Sequence, residues 1–313
     1  MLTGPDVRAG TPPHVPGDPG AVMERVNARP AFLRGFGAAV KEVYAFRELL
    51  GQLIRKELKV KYKDSVLGFL WTFIRPLLQL FVYAVVIGIF LGSGRVIPDF
   101  GIYIYVGLLA WTLFTDILGG CTGCIVGNAG LVKKVYFPRE LFPLAVIGAA
   151  AVNFVLQSSV LLVAYTLTQS TPSWGQMGLV PLALAVLIIF AAALGLLLAA
   201  ANVFLRDVQY LVEVTLLLWF WMTPIIYDWT KVRTVLAVDN NLVWLYQLYL
   251  ANPMANVVLA FQRALWSSGE GTPFYYTNGL ASRLGILLVV SCAFLWFAQR
   301  VFARSQGNFA QEL

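Results

Sequence analysis

Six long apolar runs limit the folds open to this chain. A helix needs about 20 apolar residues to cross the roughly 30 Å hydrocarbon layer of a membrane. The runs that reach this length are residues 67–92, 102–127, 141–168, 178–204, 208–227 and 280–303. Apolar residues make up 59% of the chain and charged residues only 12%, against about 25% charged residues in soluble domains. The sequence therefore predicts an all-α integral membrane protein with six transmembrane helices.

Two shorter apolar pieces, 242–250 and 253–266, lie between the fifth and sixth runs. At about 1.5 Å per residue, neither piece is long enough to cross a membrane. Asn252 is a good N-cap and Pro253 suits a first helical position, so a new helix is predicted to begin there. The two pieces are therefore predicted to be short external re-entrant helices.

The distribution of cations predicts the orientation of the spans. With six crossings, the N-terminal region, the loop near 128–140, the turn near 205–207 and the C-terminus share one side. That side holds Arg55, Lys56, Lys59, Lys61, Lys63, Lys133, Lys134, Arg139, Arg206, Arg300 and Arg304. The opposite side holds Arg95, Lys231, Arg233, Arg263 and Arg283. Because cations are enriched in cytosolic loops, both termini are predicted to be cytosolic. The net charge of +7 then reflects membrane orientation rather than nucleic-acid binding.

The segments outside the spans predict the remaining organisation of the chain. Residues 1–40 are rich in Pro and Gly, which predicts a disordered cytosolic tail. An amphipathic interface helix is predicted over 41–64, a transmembrane domain over 65–304 and a second cytosolic tail over 305–313.

The predicted interface helix has one apolar face and one basic face. Its apolar residues recur at helical spacing and are Phe46, Leu49, Leu50, Leu53, Ile54 and Leu58. Its basic residues are Arg55, Lys56, Lys59, Lys61 and Lys63. This pattern is typical of a helix on the cytosolic membrane surface. Its lysines are expected either to meet anionic lipid headgroups or to form a docking face for a cytosolic protein.

The loop GNAGLVKKVYFPRELFP, on the predicted cytosolic side, is longer than a minimal turn between two spans. It places the apolar or aromatic residues Leu131, Tyr136 and Phe137 beside the cations Lys133, Lys134 and Arg139. An exposed apolar patch with a charged rim indicates a protein contact. The alternative is an interfacial segment with its tyrosine at headgroup depth.

Three charged residues, Arg75, Asp116 and Glu213, lie inside apolar runs. A lone charge there costs several kcal/mol, so each is expected to face a partner or water. Either Asp116 or Glu213 is a possible partner for Arg75, in an ion pair that holds spans together. The alternative is that the three charges line a conduit for a polar substrate.

Aromatic residues at mid-span are candidates for the wall of such a conduit. They are Trp71, Tyr83, Trp111, Phe114, Trp219, Phe220 and Trp221. Aromatic rings offer flat apolar faces, and Trp and Tyr add a polar group, which suits the passage of sugar rings. The alternative is that these rings fill contacts between helices.

The chain carries no nucleotide-binding signature and predicts no cofactor or metal of its own. It contains no G-x-x-x-x-G-K-[S/T] sequence, so any ATP must be bound by a partner. Its only histidine is His14, in the N-terminal tail, and the pair Cys121 and Cys124 has too few companions for a zinc site. These two cysteines are expected to serve as small residues in helix packing.

Several strings in order resemble a known family. They are KVKYKDSVLGFLWTFIRPLLQLFVYAVVIGIFL, LLAWTLF, GNAGLVKKVYFPRELFPLA, NVFLRDVQYLV, WFWMTPIIY and NPMANVV. Together they resemble the membrane subunit of ABC-2-type polysaccharide exporters, the O-antigen and teichoic-acid exporter permeases. The resemblance extends over about residues 45–303.

The resemblance implies a specific assembly in the bacterial cytoplasmic membrane. It implies a homodimer with two copies of a cytosolic ATPase subunit, which binds ATP and Mg, and a lipid-linked polysaccharide as substrate. The ATPase-coupling surface would be Arg55 to Lys63 together with Leu131 to Arg139. The short helices within 242–266 would cap the exit of a conduit along the dimer axis, and the chain alone would catalyse no reaction.

Three functions remain open at this level. The first is export of lipid-linked polysaccharide, either an O-antigen-like glycan or a cell-wall galactan. The second is an ABC-2 exporter of drugs or small lipids. The third is a membrane enzyme that builds glycans, for which the stretch 228–279 offers Asp228, Asp239 and Glu270 but no paired-carboxylate motif.

Overall fold

The computed structural model describes residues 44–62, 68–134, 138–273 and 279–313, in which every regular element is a helix. The all-α prediction is therefore confirmed for this part of the chain. In chain order the helices are α1 (Arg47–Tyr62), α2 (Trp71–Tyr83, continued as a π-helix over Ala84–Phe90), α3 (Phe100–Gly127), α4 (Ala129–Lys134), α5 (Leu141–Thr168), α6 (Leu179–Phe204), α7 (Val208–Trp221), α8 (Trp229–Arg233, continued as a π-helix over Thr234–Asp239), α9 (Val243–Ala251), α10 (Pro253–Leu265), α11 (Leu280–Ser305) and α12 (Phe309–Glu312).

Five of these helices are long and apolar enough to cross a membrane: α2 with its π-helical continuation, α3, α5, α6 and α11. The fifth span was predicted over 208–227, but the helix in the structure is shorter. Helix α7 stops at Trp221 after 14 residues, or about 21 Å, which is short of the hydrocarbon layer. Pro224 cannot continue the helical hydrogen bonding, and the chain turns through the buried residues Thr223 to Ile226.

Helix α3 is the centre of the bundle. In an apolar stretch of 18 residues within α3, 78% of the residues are buried, compared with 11% in the corresponding stretch of α2. Helices α2, α5, α6, α7 and α10 all contact α3. Burial on all sides explains why the α3 sequence is apolar without a one-sided pattern.

Small residues allow the closest contacts between helices. A Cβ atom on Gly195 of α6 would lie 2.8 Å from Cβ of Cys121 on α3, and one on Gly120 would lie 2.6 Å from Val146 of α5. The contact of Cys121 agrees with the packing role expected for the cysteine pair.

The segments predicted to share one side do cluster at one end of the bundle. The buried Phe309 of α12 packs edge-on against Phe302 of α11 and contacts Phe204 at the end of α6. The guanidinium of Arg139 lies 5.8 Å from the centre of the Phe309 ring. At this same end Lys56 of α1 bonds to Asn128, which links the N-terminal helix to the 128–140 loop. The end is called the α1 side below.

Candidate functional site

The apolar stripe of α1 packs along α5, as the amphipathic pattern indicates. Leu53 is buried, and a Cβ atom on Gly148 of α5 would lie 2.6 Å from Cδ1 of Ile54. Gly148 is seven residues into α5, about 10 Å from its beginning. Helix α1 therefore packs against the side of α5.

Two lysines of α1 bond to α3 and to the residue that follows it. Lys56 donates to the side-chain oxygen of Asn128, whose amide in turn donates to the Cys124 carbonyl over 2.8 Å. Lys61 forms an ion pair with Asp116, with 3.0 Å between Nζ and Oδ2. Asn128 and Asp116 are 12 residues, or about 18 Å, apart along the axis of α3, whereas Lys56 and Lys61 are about 8 Å apart along α1.

The partner of Asp116 differs from the expected one. The sequence indicated Arg75 as a partner for Asp116, but the carboxylate is paired with Lys61 and also accepts from Asn153 of α5 over 3.5 Å. Lys61 itself was expected to belong to the cytosolic coupling surface. Sequence reasoning missed the pair because it placed α1 outside the bundle, although the length of α1 brings Lys61 to the level of Asp116.

Arg75 is exposed on α2 and pairs with neither Asp116 nor Glu213 in the described chain. One turn earlier, the Thr72 carbonyl accepts from the Gln157 side chain, about 24 Å along α5. Glu213, also exposed, is five residues into α7, about 8 Å from its beginning on the α1 side. The ion pair between Arg75 and Glu213 that the sequence offered is therefore absent from the described residues.

Four other cations of the predicted coupling surface, two on α1 and two on α4, are exposed. Arg55 and Lys59 are exposed and, with Gln52 and Val60, line an open groove of about 600 Å³ that Lys56 also borders. On α4, Leu131, Lys133 and Lys134 are exposed, whereas Val132 is buried. Arg139 packs on Phe309, as described above. Lys63, Tyr136 and Phe137, which belong to the same prediction, lie outside the described residues.

Most of the candidate conduit aromatics form an interior cluster in one subunit. Trp111, Phe114 and Phe220 are buried, and Trp219 is half-buried. Their ring centres lie 5.2 to 5.6 Å apart in three contacts: Trp111 with Phe114, Trp111 with Phe220, and Phe114 with Trp219. These four rings fill helix contacts, which was the alternative interpretation.

The other three candidate aromatics are accessible. Trp71 and Trp221 are exposed, and Tyr83 is half-buried, with its hydroxyl accepting from Gln79 over 3.3 Å. The ring of Tyr83 stacks on Phe220 at 5.8 Å, so α2 and α7 meet at this point. An exposed aromatic face therefore extends over parts of α2 and α7.

Helices α9 and α10 form a hairpin with Asn252 at its turn. The side-chain oxygen of Asn252 accepts from the Met254 backbone N–H over 3.0 Å and from the Trp219 indole N–H over 2.9 Å. Its amide donates to the Met222 carbonyl over 3.2 Å. The predicted helix start at Pro253 is confirmed, and the turn is bonded to the end of α7.

Helix α10 is more deeply buried than a surface cap. Residues 254–262 are all buried, against α3 and α6. At its far end, Trp266 donates to the Pro98 carbonyl over 2.8 Å, and the Ser173 backbone N–H donates to the Ala264 carbonyl over 2.9 Å. Pro98 and Ser173 lie away from the α1 side, so α10 extends from the bundle interior to the opposite end.

A buried carboxylate, Asp228, follows the turn after α7. It caps α8 by accepting from the Thr230 backbone N–H over 2.9 Å. Burial raises the pKa of this carboxyl, because removal from water disfavours the charged form. Asp228, one of the acidic residues considered as catalytic groups of a membrane enzyme, is therefore a helix cap. In the part of the chain that the structure describes, no group of three or more His, Cys, Asp or Glu residues is placed to hold a metal ion.

Comparison with known proteins identifies the family. Residues 48–266 match the ABC-2 type transporter family. The chain is 33% identical over 276 residues to the O-antigen export system permease protein RfbA of Myxococcus xanthus, covering 88% of this chain and 98% of that protein. Two proteins of the same name from Klebsiella pneumoniae are 28% identical over 244 residues and 27% identical over 271 residues. These two matches cover 78% and 85% of this chain, and 88% and 95% of the respective relatives. The match of the family over most of the spans, together with this full-length similarity, shows that the chain belongs to the ABC-2 type transporter family.

Proposed function

We propose that this chain is the membrane subunit of an ATP-driven exporter that moves lipid-linked polysaccharide out across the bacterial cytoplasmic membrane. The observation that carries the proposal is the 33% identity to a permease named for O-antigen export, over 98% of its length. Similarity over the whole membrane domain favours a glycan substrate over the drugs or small lipids of other ABC-2 exporters. The substrate is expected to be an O-antigen-like glycan.

The exposed charge on α2 supports assembly as a homodimer around a conduit. Arg75 is exposed within a helix that is long and apolar enough to cross the membrane, where contact with lipid would cost several kcal/mol. A second copy of the chain, or water in a conduit between two copies, removes this cost. Trp71 and Trp221, exposed on α2 and α7, then become the candidate sugar-contacting rings.

The α1 side is the proposed cytosolic side, because the cations cluster there. It presents Arg55 and Lys59 on α1 and Lys133 and Lys134 on α4, with Leu131 beside them. These exposed residues form the proposed contact with two copies of an ATPase subunit. Basic residues around an apolar patch suit a partner surface that carries acidic residues.

The short helix α7 completes the proposed sixth crossing together with the residues that follow it. The chain leaves the α1 side after Phe204 and begins α11 at Leu280 on the opposite side. Helix α7 covers about 21 Å of this path, and the buried turn at 223–226 continues it. The α9–α10 hairpin then lies at the outer end of the proposed conduit.

The first experiment is deletion of the gene in the bacterium that makes the protein. Loss of glycan from the cell surface, with lipid-linked glycan accumulating inside, is expected, and restoring the gene should reverse both effects. Unchanged surface glycan together with altered drug resistance would support the drug-exporter alternative instead.

The second experiment tests the coupling surface by co-purification with the ATPase. Reversal of two charges in Lys133→Glu/Lys134→Glu is expected to weaken ATPase association, whereas Lys231→Glu, an exposed cation on α8, serves as the matched control. Equal recovery of the ATPase with both variants would contradict the assignment.

A further inference from the structure

We propose that Lys61 and Asp116 are positioning residues that make α1 move together with α3, so that a force applied to α1 reaches the centre of the transmembrane bundle. The inference rests on the proposed function, since it assumes that an ATPase acts on α1. It assigns to these two residues a role inside the permease rather than in the contact with the ATPase.

The Lys61–Asp116 ion pair, called the joint below, lies well inside α3, and this position makes it a strong link between α1 and α3. Asp116 is 11 residues, or about 16 Å, from the α1-side end of α3 at Gly127. Asp116 therefore lies within a helix that is long and apolar enough to cross the membrane. An unpaired charge there is unfavourable, and loss of either partner leaves the other uncompensated. The joint is therefore unlike a salt bridge on a water-exposed surface, which contributes little.

A second bond between α1 and the end of α3 restricts how the two helices can move relative to each other. Lys56 bonds to Asn128 just beyond the end of α3, about 18 Å along the axis from Asp116. Attachment at two separate levels prevents α1 from sliding along α3 without breaking a bond. A displacement of α1 is thus transmitted as a displacement of α3.

The contacts of α3 determine which other helices a displacement of α3 would affect. It contacts α2, which carries Arg75 and Trp71, and α7, which carries Trp221. These are the exposed charge and rings assigned to the conduit. Helix α3 also contacts α10, the inner arm of the α9–α10 hairpin at the opposite end. A single shifted helix therefore reaches both the proposed conduit wall and its outer end.

A cleft beside the joint provides room for this movement. It has a volume of about 360 Å³ and is lined by residues of α1, α3 and α5, among them Glu57, Lys61, Gly119 and Asn153. A Cβ atom on Gly119 would meet no other atom within 4 Å. The side chains of Lys61 and Asp116 are 43% and 27% exposed, so the pair borders the cleft rather than being enclosed. Because the cleft lies where α1, α3 and α5 meet, α1 and α3 can shift together relative to α5.

The test uses the complete complex of permease and ATPase in proteoliposomes with lipid-linked glycan. The variants are Lys61→Met, Asp116→Asn and the charge swap Lys61→Asp/Asp116→Lys, with Lys231→Met as the matched control. Each single variant is expected to retain the ATPase on co-purification and to hydrolyse ATP, while glycan export falls at least tenfold. The charge swap is expected to recover most of the export, because it restores an ion pair at the same place.

A further variant, Gly119→Leu, fills the cleft and leaves the ion pair in place. It is expected to assemble with the ATPase and to lose export, and it tests the inference even where a single charge variant fails to fold. Export at the wild-type rate in an assembled single variant or in Gly119→Leu would overturn the inference, as would failure of the charge swap to recover export. Failure of the proposed function is read separately, as absence of ATPase binding or of glycan export by the wild-type complex.

Discussion

The indole N–H of Trp219 donates to the side-chain oxygen of Asn252 over 2.9 Å, which joins α7 to the turn between α9 and α10. The same oxygen accepts from the Met254 backbone N–H, and the Asn252 amide donates to the Met222 carbonyl. One side chain thus bonds to three polar groups, two at the end of α7 and one at the beginning of α10. This relationship explains how a short helix can end inside the bundle without leaving its last groups unpaired.

Replacement of Asn252 by alanine is expected to destabilise the folded subunit by about 1–3 kcal/mol, because the partly buried N–H groups of Trp219 and Met254 lose their acceptor. Chemical unfolding in detergent measures the effect. Gln247→Ala, at an exposed position of α9, is the matched control and is expected to change stability by less than about 0.5 kcal/mol. Equal stability of the two variants would show that Asn252 does not hold the hairpin.

Charge reversal in Arg55→Glu/Lys59→Glu is expected to reduce ATPase association at least tenfold, because both side chains are exposed at the open groove. Lys61→Met, on the same helix but directed at Asp116, is expected to leave association unchanged. Titration of the purified permease with its ATPase measures both affinities. The same loss in both variants would mean that the two sets of lysines share one role.

Arg75→Met tests whether the exposed charge of α2 belongs to the conduit. Since Arg75 has no ion-pair partner among the described residues, the stability of the subunit is expected to change by less than about 0.5 kcal/mol, while export falls. Stability is read by unfolding and export by surface glycan, with Leu78→Met on the same exposed face as control. Full export together with lowered stability would instead support a structural ion pair.

Asp228 gives a prediction for pH dependence. Burial raises its pKa in the folded state above the usual value of 3.8, so the folded state binds the proton more tightly than the unfolded state. The stabilising effect of this proton is complete below pH 3.8 and is lost as pH rises through the raised pKa. Asp228→Asn can keep the cap and is expected to remove this component. The difference in unfolding free energy between wild type and variant, measured between about pH 4 and pH 7, is expected to grow with pH in favour of Asn. A constant difference over that range would contradict the prediction.

Local patterns in the sequence were sufficient for much of the fold. The apolar runs predicted six spanning helices, of which five are long and apolar enough in the described residues, and the Asn252–Pro253 pair predicted the start of α10, because capping depends on adjacent residues. The stripe that contains Leu53 and Ile54 predicted which face of α1 is buried. Such features depend on residues within one or two turns of each other.

Contacts between distant segments could not be predicted in this way. The sequence offered Asp116 and Glu213 as alternative partners of Arg75, whereas Asp116 is paired with Lys61, 55 residues away in the chain. It also placed Trp111, Phe114 and Phe220 among candidates for a conduit, although their rings face other helices of the same subunit. Both outcomes depend on the rotation and height of each helix, which the spacing within a helix does not define.

The sequence by itself determined that this protein is a bundle of membrane helices, with basic residues concentrated on one side and a helix break at Asn252. Hydrophobicity, charge and capping act locally, so they can be read along the chain. Only the tertiary structure decided that Lys56 and Lys61 face α3, that α7 stops at Trp221 against the hairpin, and that Trp111, Phe114 and Phe220 are interior. Those features follow from how helices far apart in sequence pack around α3, where the shape and height of every neighbour decide which side chains meet.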